Sequence, residues 1–181
     1  MNASYQHITI LKKRLFAFFA SALIFSTSAL FLYLLGGESS NDVIAYNNLW
    51  YRLQDVDFMG AVLAERYEEG FLLFYWSLSQ HLSASATFYI TGFTALSVKY
   101  YLIKKHLHYP LFAWFIYIAI FLHLLDTNQI RESLAACFIL YALISENHGK
   151  SSYLILAVIA SFFHFTGLII VLLYFVRAPL I

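Results

Sequence analysis

The chain contains a single cysteine, Cys137, which excludes an intrachain disulfide and any cysteine-rich metal site. Charge is scarce as well: Asp, Glu, Lys and Arg make up 12% of the residues, against about 25% in an ordinary soluble domain. The charges that exist nearly cancel, leaving a formal +1 and a pI near 7.9. A nucleic-acid binder needs a concentrated basic face, so that class is excluded. Only two prolines occur, Pro110 and Pro179, each beside the end of an apolar run. No Walker A loop, nucleophile elbow or dinucleotide fingerprint is present, nor any internal repeat or low-complexity linker.

What fills the chain is apolar. Hydrophobic residues make up 61% and aromatic residues 19%, with a mean hydropathy of +0.71. The apolar runs last 15 to 24 residues. Strands of a membrane barrel would give weaker, alternating segments of about 10. The pattern predicts an all-α fold, a polytopic helical membrane protein forming one domain over residues 1–181. Five spans are expected, at about residues 15–35, 85–103, 111–125, 129–144 and 153–176, with an outer segment over 36–83. Lys12-Lys13-Arg14 before the first run could open a signal peptide. The run is 21 residues long with poor small-residue cleavage signals, and so reads as a retained signal anchor.

Charge placement orients the set. Lys12, Lys13 and Arg14 precede span one, Lys99, Lys104 and Lys105 close span two, and Lys150 lies between spans four and five. In an alternating chain these share one side, which the positive-inside rule makes cytoplasmic, with the N-terminus. Residues 36–70 hold seven carboxylates against two arginines, a net of −5, and face outward with the turn at Asp126. Val43, Tyr46, Leu49, Trp50 and Leu53 keep the spacing of an amphipathic helix, capped by Asn41 or Ser40. A second short helix is expected from Asp57 through residues 61–67. Phe71 to Gln80 is too short to span, rising about 15 Å as a helix, and reads as interfacial or re-entrant. One long tilted span is the alternative. His81-Leu82-Ser83 would be the break, with Ser83 or Ser85 capping the next helix.

Four places could carry chemistry. Arg131 enters an apolar stretch, where a fixed charge costs about 2.5–3.5 kcal/mol on insertion scales. With Asp126 as cap and Gln129 reaching back, it would lie roughly 8 Å inside a helix start, beside N–H groups that favour phosphate. Its plainer reading is an ion pair with Asp126 or another outer carboxylate. His164 lies eleven residues into the last run, about 16 Å along it as a helix. It could carry a proton, donate to a sugar, or bond a neighbouring helix. Gly167 and Ser161 would allow close helix approach there. Glu68 and Glu69 before Phe71, Phe74, Tyr75 and Trp76 offer a general base and a sugar-stacking platform, or a charged helix cap with an interfacial aromatic belt. Asp42 with Tyr46 one turn later has an equally plain reading as a cap on an amphipathic face. His123 and Asp126 are spaced to share a metal, but a catalytic zinc site takes three protein ligands, so no metal and no cofactor is expected.

These pieces occur in a recognisable order. Asn41-Asp42-x-x-x-Tyr46, Glu68-x-Gly70-Phe71, Gln129-Ile130-Arg131-x-x-Leu134-Ala135 and Ala160-x-x-x-His164-x-Thr166-Gly167 resemble the EpsG family of polysaccharide polymerases. That family is similar to the Wzy-type O-antigen and capsule polymerases. The resemblance covers most of the chain from about residue 40. Glu69 departs from it, standing where the family often has proline. The family's members are usually longer, with further spans after the histidine helix, so the chain reads as a short or truncated member.

The resemblance implies a bacterial inner-membrane enzyme that joins undecaprenyl-pyrophosphate-linked oligosaccharide repeat units on the outer face. By it, Arg131 neutralises the pyrophosphate leaving group, and Glu68 or His164 accepts the proton of the acceptor hydroxyl. Asp42, Tyr46, Gln129 and Gly70 would contribute to substrate binding. The bilayer, a flippase and a chain-length regulator would be its partners, with no nucleic acid. A flippase or transporter component using Arg131 and His164 as an ion path, and an inactive membrane scaffold, are the competing classes.

Overall fold

The computed structural model describes residues 41–144 and 150–177, together with Leu15, Phe19, residues 21–30, Tyr33 and Leu34. Among them there is no strand; the fold is all-α. After a helical stretch at residues 21–30 come α1 (Asn41–Leu53), α2 (Phe58–Ala64), α3 (Glu69–Ser79) and α4 (Ala84–His106). α5 (Pro110–Tyr117) runs into a π-helix (Ile118–Asp126), followed by α6 (Ile130–Ile144) and α7 (Lys150–Phe163). A 3₁₀ turn (Phe165–Leu168) then leads into α8 (Ile169–Arg177).

The first three helices form as their local patterns dictate. α1 buries Val43, Tyr46, Leu49 and Leu53 along one stripe. α2 is capped by Asp57, whose side chain accepts from the Gly60 N–H at 2.7 Å. It stops at Ala64, short of the expected end, because Glu65 leaves the helix in an extended conformation and pairs with Arg52 at 2.6 Å. α1 and α3 are stitched at their far ends. Gln54 Nε2 donates to the Ser79 carbonyl at 3.1 Å, Gln80 Nε2 to the Leu53 carbonyl at 3.0 Å, and Trp50 Nε1 to the Leu82 carbonyl at 2.9 Å. Ser83 caps α4 through the Ala86 N–H at 3.4 Å.

The remaining helices make the bundle. α4 and α6 run side by side in the same direction: the Cys137 thiol meets the Ala95 carbonyl at one level, and the His106 and Tyr141 rings stand 6.3 Å apart further on. α5 returns against α4 through Tyr100 and Trp114. Ser28 of the N-terminal helical stretch accepts from Trp114 Nε1 at 3.1 Å. The end of the bundle carrying Lys104 and Lys105 therefore lies opposite the start of α6. The expected first span, residues 15–35, and the Asn41 or Ser40 cap fall partly outside the described residues.

Two expectations change. Residues 153–176 are not one helix. The chain breaks at His164, which is extended (φ −164°, ψ 142°), and α8 folds back along α7. Tyr153 near the start of α7 meets Tyr174 near the end of α8 at 6.0 Å between rings, and Ile170 packs with Tyr153, Leu156, Ala157 and Ala160. Gly167 permits the turn, since a Cβ there would run into the backbone of Ala160 and Ser161. His164 thus sits at the tip of a hairpin rather than midway along a continuous helix.

The second change concerns Lys99 and Asp126. The sequence places Lys99 among the basic residues of the cytoplasmic end, and Asp126 as the cap of the next helix. Both are instead buried inside the bundle, at 1% and 0% side-chain exposure. Lys99 Nζ donates to Asp126 Oδ1 at 2.8 Å, to the Tyr117 hydroxyl at 2.9 Å and to Ser133 Oγ at 2.6 Å. The Tyr117 and Ser133 hydroxyls each donate to Asp126 as well. The π-helix makes this possible. At 3.6 residues per turn, Tyr117 and Asp126 would fall on opposite faces, whereas the wider i→i+5 winding brings them close to the same face.

Among the described residues no helix is long and apolar enough to cross a membrane. α4 is the longest at 23 residues but carries Lys99, Lys104 and Lys105. α6 and α7 have 15 and 14 residues, a rise of about 21–23 Å against about 30 Å of hydrocarbon.

Lys99→Met strands a buried carboxylate and is expected to cost about 3–5 kcal/mol, the usual penalty for removing one partner of a buried pair. Lys99→Met with Asp126→Leu removes both charges and recovers a large part of the loss. Thermal unfolding of the purified variants checks this; a wild-type midpoint for Lys99→Met alone would contradict it.

Candidate functional site

At the opening of α6, away from the Lys104–Lys105 end, lies a cleft of about 390 Å³ lined by Asp42, Tyr46, Gln129, Arg131, Glu132, His164, Phe165 and Thr166. Three separate parts of the chain build it. α1 supplies Asp42 and Tyr46 one turn apart, the start of α6 supplies Gln129, Arg131 and Glu132, and the hairpin tip supplies His164 to Thr166. Five of the residues singled out in the sequence therefore share one wall-to-wall space.

Arg131 is its centre. α6 begins at Ile130 rather than at Asp126, so Arg131 lies in the first turn, at the mouth of the helix and nearer its start than the expected roughly 8 Å. Its Nη1 donates to Glu68 Oε2 at 2.8 Å, and its Nε reaches the Tyr46 hydroxyl at 3.4 Å. Its guanidinium carbon stands 4.7 Å from the centre of the Tyr67 ring, a cation–π distance. Arg131 and Glu68 keep 26% and 21% of their side-chain surface exposed. The planar fork is thus held from three sides while part of it stays open to the cleft. Of the two expected kinds of ion-pair partner, Asp126 or another carboxylate of the outer segment, the structure shows the second, Glu68.

Glu68 occupies the position before α3, extended, yet its side chain caps nothing; it turns to Arg131 instead. Gly70 follows two residues later and does not line the cleft. A Cβ at Gly70 would come within 2.7 Å of the Phe162 carbonyl oxygen, so this glycine lets α3 press against α7. That contact brings the Glu68 side to Arg131 and the hairpin tip together. Burial raises the Tyr46 phenol above its ordinary pKa, and the Arg131 hydrogen bond pulls it partly back.

His164 is held by its neighbour. The backbone N–H of Thr166 donates to Nδ1 at 3.4 Å, and the Thr166 hydroxyl lies 3.0 Å from the same nitrogen. The imidazole lies against the Phe165 ring, with 4.5 Å between centroids.

Sequence reasoning left Glu132 without a role, though it stands in the same motif as Arg131, and missed Tyr67, adjacent to Glu68. It missed the Lys99 cluster altogether. The one available signal was a lysine inside an apolar helix, which had a ready local explanation in the basic residues that follow. Among the described residues no group of three or more His, Cys, Asp or Glu is placed to hold a metal ion.

Gly70→Ala forces α3 away from α7. It is expected to destabilise the fold by about 1–3 kcal/mol, the usual cost of overpacking, and to loosen the Glu68–Arg131 contact. Thermal unfolding checks the first effect. Unchanged stability would show that the two helices part freely.

A family model described as the EpsG family matches residues 13–180, nearly the whole chain. No curated protein matches it, and no solved structure does.

Proposed function

The chain belongs to the EpsG family, a Wzy-like polymerase family whose members are membrane proteins with a polysaccharide polymerase-like role and a lipid-linked oligosaccharide substrate; on that premise we propose that it is a glycosyltransferase-type polymerase of the bacterial inner membrane. It joins undecaprenyl-pyrophosphate-linked repeat units into exopolysaccharide, capsule or O-antigen at the outer face. The observation that carries this reading is the cleft itself, where residues as far apart as Asp42 and His164 converge on a half-open arginine.

In this reaction a hydroxyl of one lipid-linked unit attacks the anomeric carbon of the sugar next to the pyrophosphate on the growing chain. The bond from that carbon to the phosphate oxygen breaks, and the lipid pyrophosphate leaves with its electrons. Arg131 neutralises the leaving group, helped by the positive end of α6. Glu68 and the Tyr67 ring hold the guanidinium in place. Tyr46, Gln129 and Asp42 bind the sugars, and His164 donates through Nε2 to a sugar oxygen.

A membrane setting is supported by the apolar outer surface. Phe112, Phe115, Leu154, Ile155, Val158, Leu172 and Phe175 are all exposed. Exposed apolar area on this scale marks a surface covered by something other than water. The bundle end carrying Lys104 and Lys105 is then cytoplasmic, with the N-terminus, and the cleft faces outward. A flippase and a chain-length regulator are the expected neighbours.

Cells carrying Arg131→Ala are expected to make no polymer while still displaying single repeat units. Arg131→Lys fails as well, because lysine lacks the planar two-pronged donor. Gel electrophoresis of the surface polysaccharide reads both. Full-length polymer from Arg131→Ala cells would remove Arg131 from the reaction, and polymer from a variant lacking both Arg131 and His164 would favour a scaffold.

A further inference from the structure

We infer that Glu132 is the catalytic base of the cleft, the group that takes the proton from the attacking sugar hydroxyl. The inference rests on the polymerase reading and adds a residue to it. Glu68, Asp42, Glu132 and His164 are the carboxylates and the imidazole at or beside the cleft that could accept such a proton.

Glu68 is committed. Its Oε2 lies 2.8 Å from Arg131 Nη1, and protonating it would release the guanidinium that the leaving group needs. His164 is committed differently. A neutral imidazole has one lone pair available, and here Nδ1 accepts from the Thr166 N–H. The ring proton must then sit on Nε2, which makes His164 a donor to the cleft rather than a base.

Two carboxylates remain, and neither makes an ion pair or hydrogen bond among the described residues. Asp42 is exposed at the start of α1, whereas Glu132 is half-buried in the first turn of α6 beside Arg131. A base must stand close to the reacting centre, and Glu132 is fixed on the same helical turn as the guanidinium assigned to the leaving group, whereas Asp42 stands on a separate helix. Glu132 also ends the step neutral, so proton uptake lowers the excess negative charge of the cleft as the anionic leaving group develops. Proton and electrons balance: the hydroxyl oxygen bonds to the anomeric carbon, its proton passes to Glu132, and the bonding pair departs with the pyrophosphate.

The test uses the full chain in lipid nanodiscs, with the lipid-linked repeat unit extracted from the producing cells. Glu132→Gln is expected to lower kcat by about 100-fold or more, the usual weight of a general base, with KM within about threefold. Glu68→Gln, by contrast, raises KM as Arg131 comes loose. The charged and titratable groups facing that position, Asp42 and Tyr46 from α1, Glu68 ahead of α3, Arg131 on α6 and His164 at the hairpin tip, are unaltered in this variant. Formate added to Glu132→Ala restores part of the rate, which guards against misreading a folding defect. Wild-type kcat in Glu132→Gln, or the same loss in Asp42→Asn instead, overturns the assignment. No polymer from the wild-type chain overturns the polymerase reading itself, and the role of Glu132 with it.

Discussion

The pairing of Lys99 with Asp126 is the constraint on which the rest of the bundle depends. Most contacts among α4, α5 and α6 are between apolar side chains, which tolerate sliding and rotation. A buried charge pair does not, because its cost of desolvation is repaid only when every donor and acceptor finds its partner. Here the ammonium has three acceptors, and the carboxylate receives the lysine and two hydroxyls. One geometry satisfies all four residues, and it sets the axial position of α6 against α4. Arg131 stands two residues before Ser133. Register at the buried cluster is therefore register at the mouth of the cleft.

The π-helix belongs to the same constraint. Its wide winding is a poorer way to pack nine residues than an α-helix, and it persists because it turns Tyr117 and Asp126 toward one lysine. It ends at Asp126, and a short link, residues 127–129, carries the chain directly into α6. Glycines make the other two close approaches. Gly70 admits α3 against Phe162, and Gly167 folds the hairpin whose tip bears His164. The cleft is thus assembled by one polar lock and two places where a side chain is absent.

Much of this was legible in the sequence, for local reasons. The stripe Val43, Tyr46, Leu49 and Leu53 announces α1, Asp57 and Ser83 announce two helix starts, and Pro110 sits where proline is welcome, at the first turn of α5. The order of Asp42, Glu68, Arg131 and His164 was readable as a family pattern, and the fold explains it by bringing the four together. What was not legible is what only tertiary structure decides. Lys99 and Asp126 lie 27 residues apart, and each had a sufficient local explanation, as a flanking lysine and as a helix cap. The break at His164 has no proline or glycine at the break itself. It follows from α8 having α7 to pack on, and from Thr166 offering its N–H to the imidazole.

Asp42, Glu68 and Glu132 outnumber Arg131, so an anionic pyrophosphate is not drawn in by net charge alone. In the proposed reaction it would sit where positive charge is concentrated, on the guanidinium at the positive end of α6. The carboxylates then face the other half of the substrate. Glycosyl transfer passes through a sugar with oxocarbenium-like positive charge, which negative groups stabilise. In the proposed reaction a cleft with one cation at the helix mouth and carboxylates around it suits a transition state that separates an anionic phosphate from a cationic sugar. A site built only to hold a pyrophosphate lipid would gain from more arginines and lose from Asp42 and Glu132. Under the proposed function, their presence beside Arg131 suits bond breaking better than carriage.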